Sequence, residues 1–201
     1  MVLLNEETEN FCKILHLWKK ACNISVVNTE ITNSIIKNDT IMKSMQQWLD
    51  EYGESHKNPT NKLIHWICVP AIFFCVLALF SEIPSDMLKN LFPAAYQPYI
   101  HWGTVVVILG LLFYLRISVT MFLGMAAVSS LCLYGIKVLN VWGVIPVWQI
   151  ALIVFVAAWI GQFYGHKVEG KKPSFFKDLQ FLMIGPAWLL GFIYKKIGIS
   201  Y

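Results

Sequence analysis

Four apolar stretches, at residues 63–80, 99–115, 117–138 and 144–164, each approach the length of about 20 residues that a helix needs to cross a hydrocarbon core. In lipid the backbone must satisfy its own hydrogen bonds, and no alternating strand pattern offers a barrel as the solution, so helices are expected. A fifth stretch, 179–194, is short and interrupted by Gly185-Pro186. It is expected as a broken span or a re-entrant pair of half-helices. The fold class is therefore all-α, a polytopic membrane helical bundle of four to five spans. Composition supports this. Hydrophobic residues make up 57% of the 201 and charged residues only 14%, against about 25% charged in ordinary soluble domains. A soluble core of this size cannot bury so much apolar surface.

The second and third stretches meet at Arg116 with hardly a turn signal between them. Residues 1–44 differ from the rest and are expected as a weakly structured N-terminal extension, with a short helix at 11–21, ahead of a membrane-embedded domain at 45–201. Residues 1–9 hold three Glu and no basic run, which is not a secretory signal peptide. Met42 and Met45 stand just ahead of the organised part and offer alternative starts. From Met45 the apolar positions Met45, Trp48, Leu49 and Tyr52 recur at helical spacing, as in a helix that lies on a membrane or packs on the protein. A polar link, residues 53–62, follows.

Several function classes fall away. The five Cys (12, 22, 68, 75, 132) contain no CxxC pair, so neither a zinc ribbon nor a disulfide framework is indicated. No GxSxG, P-loop or GxGxxG is present. The five His are too few and too scattered for the histidine boxes of membrane di-iron enzymes. The net charge of +4 comes from bases that flank apolar runs, which is an orientation signal rather than a nucleic-acid footprint. The tryptophans at 66, 102, 142, 148, 159 and 188 are assigned to belt or packing positions.

If all five stretches cross, one side carries Lys57, Lys62, Arg116, Lys167, Lys171, Lys172 and Lys177, and the other Lys89, Lys137, Lys195 and Lys196. The richer side is expected to be cytoplasmic, with the N-terminus on it. A re-entrant last segment moves Lys195 and Lys196 across and sharpens the split from seven against four to nine against two. The compact span arrangement favours a bacterial inner membrane, with the endoplasmic reticulum as the eukaryotic equivalent.

The same topology sorts the histidines. His56, His65 and His166 come to the richer face, His101 falls on the opposite face, and His16 belongs to the extension. Three imidazoles that leave open positions suit a catalytic zinc or non-haem iron. A set of two His with Glu169, three residues after His166, is the alternative. Asn58, Asn61, Gln162 and Glu169 are candidates for orienting ligands or bonding substrate. Lys167, Lys171 and Lys172 could attract an anionic head group.

Two motifs carry a resemblance. His56-Lys57-Asn58-Pro59-Thr60-Asn61-Lys62-Leu63-Ile64-His65, followed by Val69-Pro70, resembles the HxNPxNxxxH signature of the 2-hydroxy fatty acid dioxygenases, whose yeast member acts in phytosphingosine breakdown. Trp159-Ile160-Gly161-Gln162-Phe163-Tyr164-Gly165-His166, then Glu169, Pro173 and Gly185-Pro186, resembles its second half. The resemblance covers residues 48–194. It implies an Fe(II)-dependent membrane enzyme of fatty acid α-oxidation that shortens a 2-hydroxy fatty acid by one carbon with O2. His56, His65 and His166 would then be its catalytic metal ligands, and no organic cofactor is implied. Glu169 and Pro173 lie one position nearer the histidine than in eukaryotic members, which counts against Glu169 as a ligand. The implied partners are the hydroxy acid, O2 and membrane lipids, with no nucleic acid. Oligomeric state, chain-length preference and source stay open. The competing expectations are a non-catalytic membrane scaffold or transporter subunit, and a zinc-dependent lipid enzyme on the same histidines. No span holds an intramembrane acidic residue, which weighs against ion-coupled transport.

Overall fold

The computed structural model describes Lys13, residues 43–170 and residues 181–201. Contacts divide the chain into two units, Met1–Lys43 and Ser44–Tyr201. His16, Lys171, Lys172 and nearly all of the extension expected over 1–44, with its helix at 11–21, lie outside the described residues. The second unit holds α1 (Met45–Gly53), α2 (Pro59–Ser81), α3 (Asp86–Lys89), a 3-10 turn (Gln97–Tyr99), α4 (Trp102–Ile117), α5 (Val119–Trp142), α6 (Val147–Glu169) and α7 (Ile184–Ile197). No strand occurs among the described residues.

Local chemistry sets the helix starts. Ser44 and Gln47 form a reciprocal capping box on α1. Asn58 caps α2 by accepting from the Thr60 N–H, and Pro59 follows at the first helical position, where its missing N–H costs nothing. The joint expected at Arg116 falls at Ser118. This single extended residue closes α4 and caps α5, its hydroxyl accepting from the Met121 N–H.

Three helices, α2, α5 and α6, are long and apolar enough to cross a membrane. Three such helices stand against the four to five spans expected. The second apolar stretch yields only the 16-residue α4, about 24 Å at 1.5 Å per residue. Leu63, Ile67, Leu109, Leu123, Leu131, Ile153 and Ile160 are exposed along these helices, an apolar coat that suits lipid and not water. Inside, α2 packs on α4, α6 and α7, burying Phe73, Cys75, Leu77 and Ala78.

Of the fifth segment, expected as a broken span or a re-entrant pair of half-helices, residues 181–194 are described. Gly185-Pro186 does not break a helix but sits in the first turn of α7, which then runs uninterrupted to Ile197. Proline is tolerated there because first-turn N–H groups have no helical partner. The start of α7 is level with the middle of α2, since a Cβ on Gly185 would lie 3.0 Å from Val69 Cγ1. Its end returns to the first turn of α5, where the Tyr194 hydroxyl donates to the Thr120 carbonyl at 3.0 Å. Thus α7 occupies only half the depth of the bundle, on the side where α2 begins and α6 ends. There α1 lies against it: Met45, Leu49 and Tyr52 are buried, with Leu49 beside Gly191. The apolar stripe of α1 is a packing face.

Candidate metal centre

His56 stands in the link between α1 and α2, His65 lies two turns into α2, and His166 lies in the last turn of α6. All three are buried, at 4%, 0% and 5% exposure. Their ring centroids lie 4.2 Å (His56–His65), 5.2 Å (His65–His166) and 5.6 Å (His56–His166) apart. One ring nitrogen from each can be chosen so that all three lie within 4.8 Å of one another. No other His, Cys, Asp or Glu group of three among the described residues does this.

Two of the rings are oriented by backbone carbonyls four residues back. His56 Nδ1 lies 2.6 Å from the Tyr52 carbonyl and His65 Nδ1 lies 2.9 Å from the Asn61 carbonyl. A carbonyl can only accept, so each Nδ1 carries the proton and each Nε2 is left with its lone pair. Both Nε2 atoms are buried without a hydrogen-bond partner. Buried polar atoms are nearly always partnered, and two such orphans beside a third imidazole suit a cation. Burial and then the neighbouring His65 push His56 down to about 3, so its ring is neutral at physiological pH, the form a metal needs.

Glu169 is placed differently from a ligand. The helix continues past Gly165, as a shared face with His166 requires, and ends at Gly170 with φ +74°. The carboxylate nevertheless turns to the start of α2. It accepts from the Lys57 and Asn58 N–H groups, each at 2.8 Å, and from Asn61 Nδ2 at 3.1 Å. These bonds tie the end of α6 to the segment that carries His56 and His65, a capping role. Glu169→Gln is therefore expected to lower metal affinity by about tenfold while stoichiometric loading at saturating metal survives. Loss of all loading, measured by metal analysis of the folded variant, would instead make the carboxylate a ligand.

The other polar positions divide by role. Asn58 is the cap of α2. Asn61, fully buried, also donates to the Ser55 carbonyl at 3.1 Å. Gln162 is buried one turn deeper than His166 and lines a cavity of about 20 Å³ with Tyr52, Val69, Trp159 and Gly185. Lys167 is exposed at the end of α6. His101 lies near the far ends of α2 and α5, on the rim of a cleft with Ser81 and Lys137.

Three contributors stand outside the candidate residues read from the sequence. Tyr52 stacks on His56 with centroids 4.3 Å apart and planes 14° apart. Trp188, assigned above only to belt or packing, closes on the same ring at 5.2 Å. The third is the pair Gly161 and Gly165, which face α2. A Cβ on Gly161 would meet Cys68 Sγ at 2.9 Å, and one on Gly165 would collide with Asn61 Oδ1. Both stand in the second motif, and their four-residue spacing in an apolar helix is the signal for this close packing.

The family model for the Mpo1-like proteins, described as 2-hydroxy-palmitic acid dioxygenase Mpo1-like, matches residues 42–197. Comparison with curated proteins and with solved structures gave no match. The match spans the whole bundle and all three clustered histidines, and the chain belongs to the Mpo1-like 2-hydroxy-palmitic acid dioxygenase family.

Proposed function

We propose that this protein is an Fe(II)-dependent dioxygenase that shortens 2-hydroxy fatty acids by one carbon, at the membrane face where α2 begins. The observation that carries this reading is the pair of buried, unpartnered Nε2 atoms on His56 and His65 beside His166, in a chain of this family. His56, His65 and His166 would hold the iron, which when bound supplies redox chemistry with O2 and a centre that the substrate's carboxylate and hydroxyl can chelate.

The chain's own residues do the rest. The Tyr52 and Asn61 carbonyls hold the protons on Nδ1 of His56 and His65 and aim each Nε2 inward. Tyr52 and Trp188 cover His56 and keep water from it. Gln162, which lines the small cavity one turn deeper, would hydrogen-bond the polar end of the substrate in this reading. Lys167, with Lys171 and Lys172 following in sequence, attracts the carboxylate to the interface. The acyl tail stays in hydrocarbon against the apolar helix faces, each buried CH2 contributing about 0.8 kcal/mol. Because α7 returns to the triad's end, Lys195 and Lys196 join the basic side, and we assign that side to the cytoplasm. Residues 45–201 form the catalytic domain in this reading, with 1–44 as an appendage.

Metal analysis of the detergent-purified protein, then anaerobic Fe(II) reconstitution and O2 consumption on 2-hydroxypalmitate, tests the proposal. Near-stoichiometric iron, substrate-dependent O2 uptake and a product one carbon shorter are expected. Tight zinc with no O2 uptake in the iron-loaded sample would favour a zinc lipid enzyme, since three imidazoles also suit zinc. A folded protein that takes up neither metal would point to a scaffold.

A further inference from the structure

The end of the bundle away from the triad holds a second polar site, one that the reaction above does not use. Between the ends of α2 and α5 and the start of α4 lies a cleft of about 330 Å³, lined among others by Ser81, Glu82, Lys89, His101, Lys137 and Asn140. His101 is the unusual member. It is only 6% exposed, yet neither Nδ1 nor Nε2 has a hydrogen-bond partner. It occupies the cap position of α4 without using its side chain as a cap. The ring is tucked against that helix because residue 103 is glycine: a Cβ there would lie 3.0 Å from His101 Nδ1 and 2.6 Å from the Leu77 carbonyl. A buried imidazole with two unpartnered nitrogens on the wall of a cleft has hydrogen-bonding capacity to offer a ligand.

Charge indicates the ligand's sign. Lys89 is near enough to His101 to add to burial in pushing its pKa down. Lys137 is held at the rim by donating to the Tyr99 hydroxyl at 3.0 Å, with its ammonium 4.8 Å from the centre of that ring. The two ammonium groups and the positive end of the 16-residue α4 outweigh the one carboxylate, Glu82. The surroundings indicate the depth. Tyr96, Trp102 and Trp142 are exposed around this end, with the apolar Met87 and Leu91, as in the aromatic belt at lipid head-group level.

We propose that this cleft binds a phosphate group, carried by an anionic lipid of the leaflet opposite the triad, with Lys89, Lys137 and His101 as its donors. Phosphate offers several strong acceptors to the two ammonium groups and to the His101 N–H, and the charge-assisted bonds to the ammonium groups are the strong ones.

Native mass spectrometry of the full chain in detergent tests this with three probes: short-chain phosphatidic acid, diacylglycerol of the same chains, and glycerol 3-phosphate. The wild type is expected to retain one equivalent of phosphatidic acid and no diacylglycerol. His101→Ala and Lys89→Gln should each weaken retention roughly tenfold, and Lys195→Gln, at the other end, should leave it unchanged. Retention of glycerol 3-phosphate with the same mutant dependence supports a phosphate site that soluble phosphate also fills. Equal retention of phosphatidic acid and diacylglycerol, or retention that survives both variants, overturns the proposal. Lys89 is half-buried near the surface, so its variant keeps the test open if His101→Ala fails to fold.

Discussion

His56→Ala, His65→Ala and His166→Ala are each expected to abolish bound iron and O2 uptake, while His101→Ala and His16→Ala leave the iron content unchanged. A three-imidazole site that loses one imidazole keeps only two protein ligands, and water in the vacated position is a weaker ligand than the imidazole it replaces. His65 is fully buried, so its truncation also leaves a cavity, of the kind that costs about 2–5 kcal/mol for large-to-small core changes. Loss of iron by misfolding must therefore be separated from loss of a ligand. Adding imidazole to the purified alanine variants does this, because a free ligand can refill a missing site in a folded protein but cannot refold a collapsed one. Recovery of iron binding is expected for at least His56→Ala, whose ring sits in the link rather than inside a helix. Equal iron retention across all five variants would sink the assignment.

Gly165→Ala should be nearly as damaging, although it removes no chemical group. The added methyl would collide with Asn61 Oδ1, and Asn61 is fully buried and bonded through Nδ2 to both Ser55 and Glu169. Asn61 cannot swing away without releasing those bonds, so α6 must move from α2. Overpacking of this kind costs about 1–3 kcal/mol. The displacement acts on His166, one residue along, relative to His65, whose Nδ1 partner is the Asn61 carbonyl. Metal affinity is expected to fall by more than about tenfold while helix content by circular dichroism stays at the wild-type level. Tyr164→Leu, one residue away on the exposed face, is the control and should change neither. Wild-type metal affinity in Gly165→Ala would show that the approach of α6 to α2 does not set the site.

The two predictions rest on parts of the protein that differ in how far the sequence reveals them. The helical class and the grouping of His56, His65 and His166 are legible in the chain. Both follow from lengths of apolar sequence and from the alternation of ends that crossing helices impose. The span count is less legible, because a run of apolar residues does not show how far its helix extends. The second apolar stretch begins at Tyr99, yet a 3-10 turn and an extended His101 precede α4. Gly185-Pro186 reads as a break only until the first helical residue is known to be Ile184.

Residue types and their order thus determined that the chain is a helical membrane protein with three imidazoles at one end and a family signature around them. Only the tertiary structure decided which atoms face one another. Glu169 has the spacing of a ligand, but the unpaired N–H groups at the start of α2 lie within its reach and take its carboxylate. Trp188 comes to His56 from α7, and no local pattern links residues so far apart in sequence. The physical reason is common to both. Periodicity and capping act within a few residues, whereas the contacts of Glu169 and Trp188 are made by packing between segments that the sequence separates by more than a hundred positions.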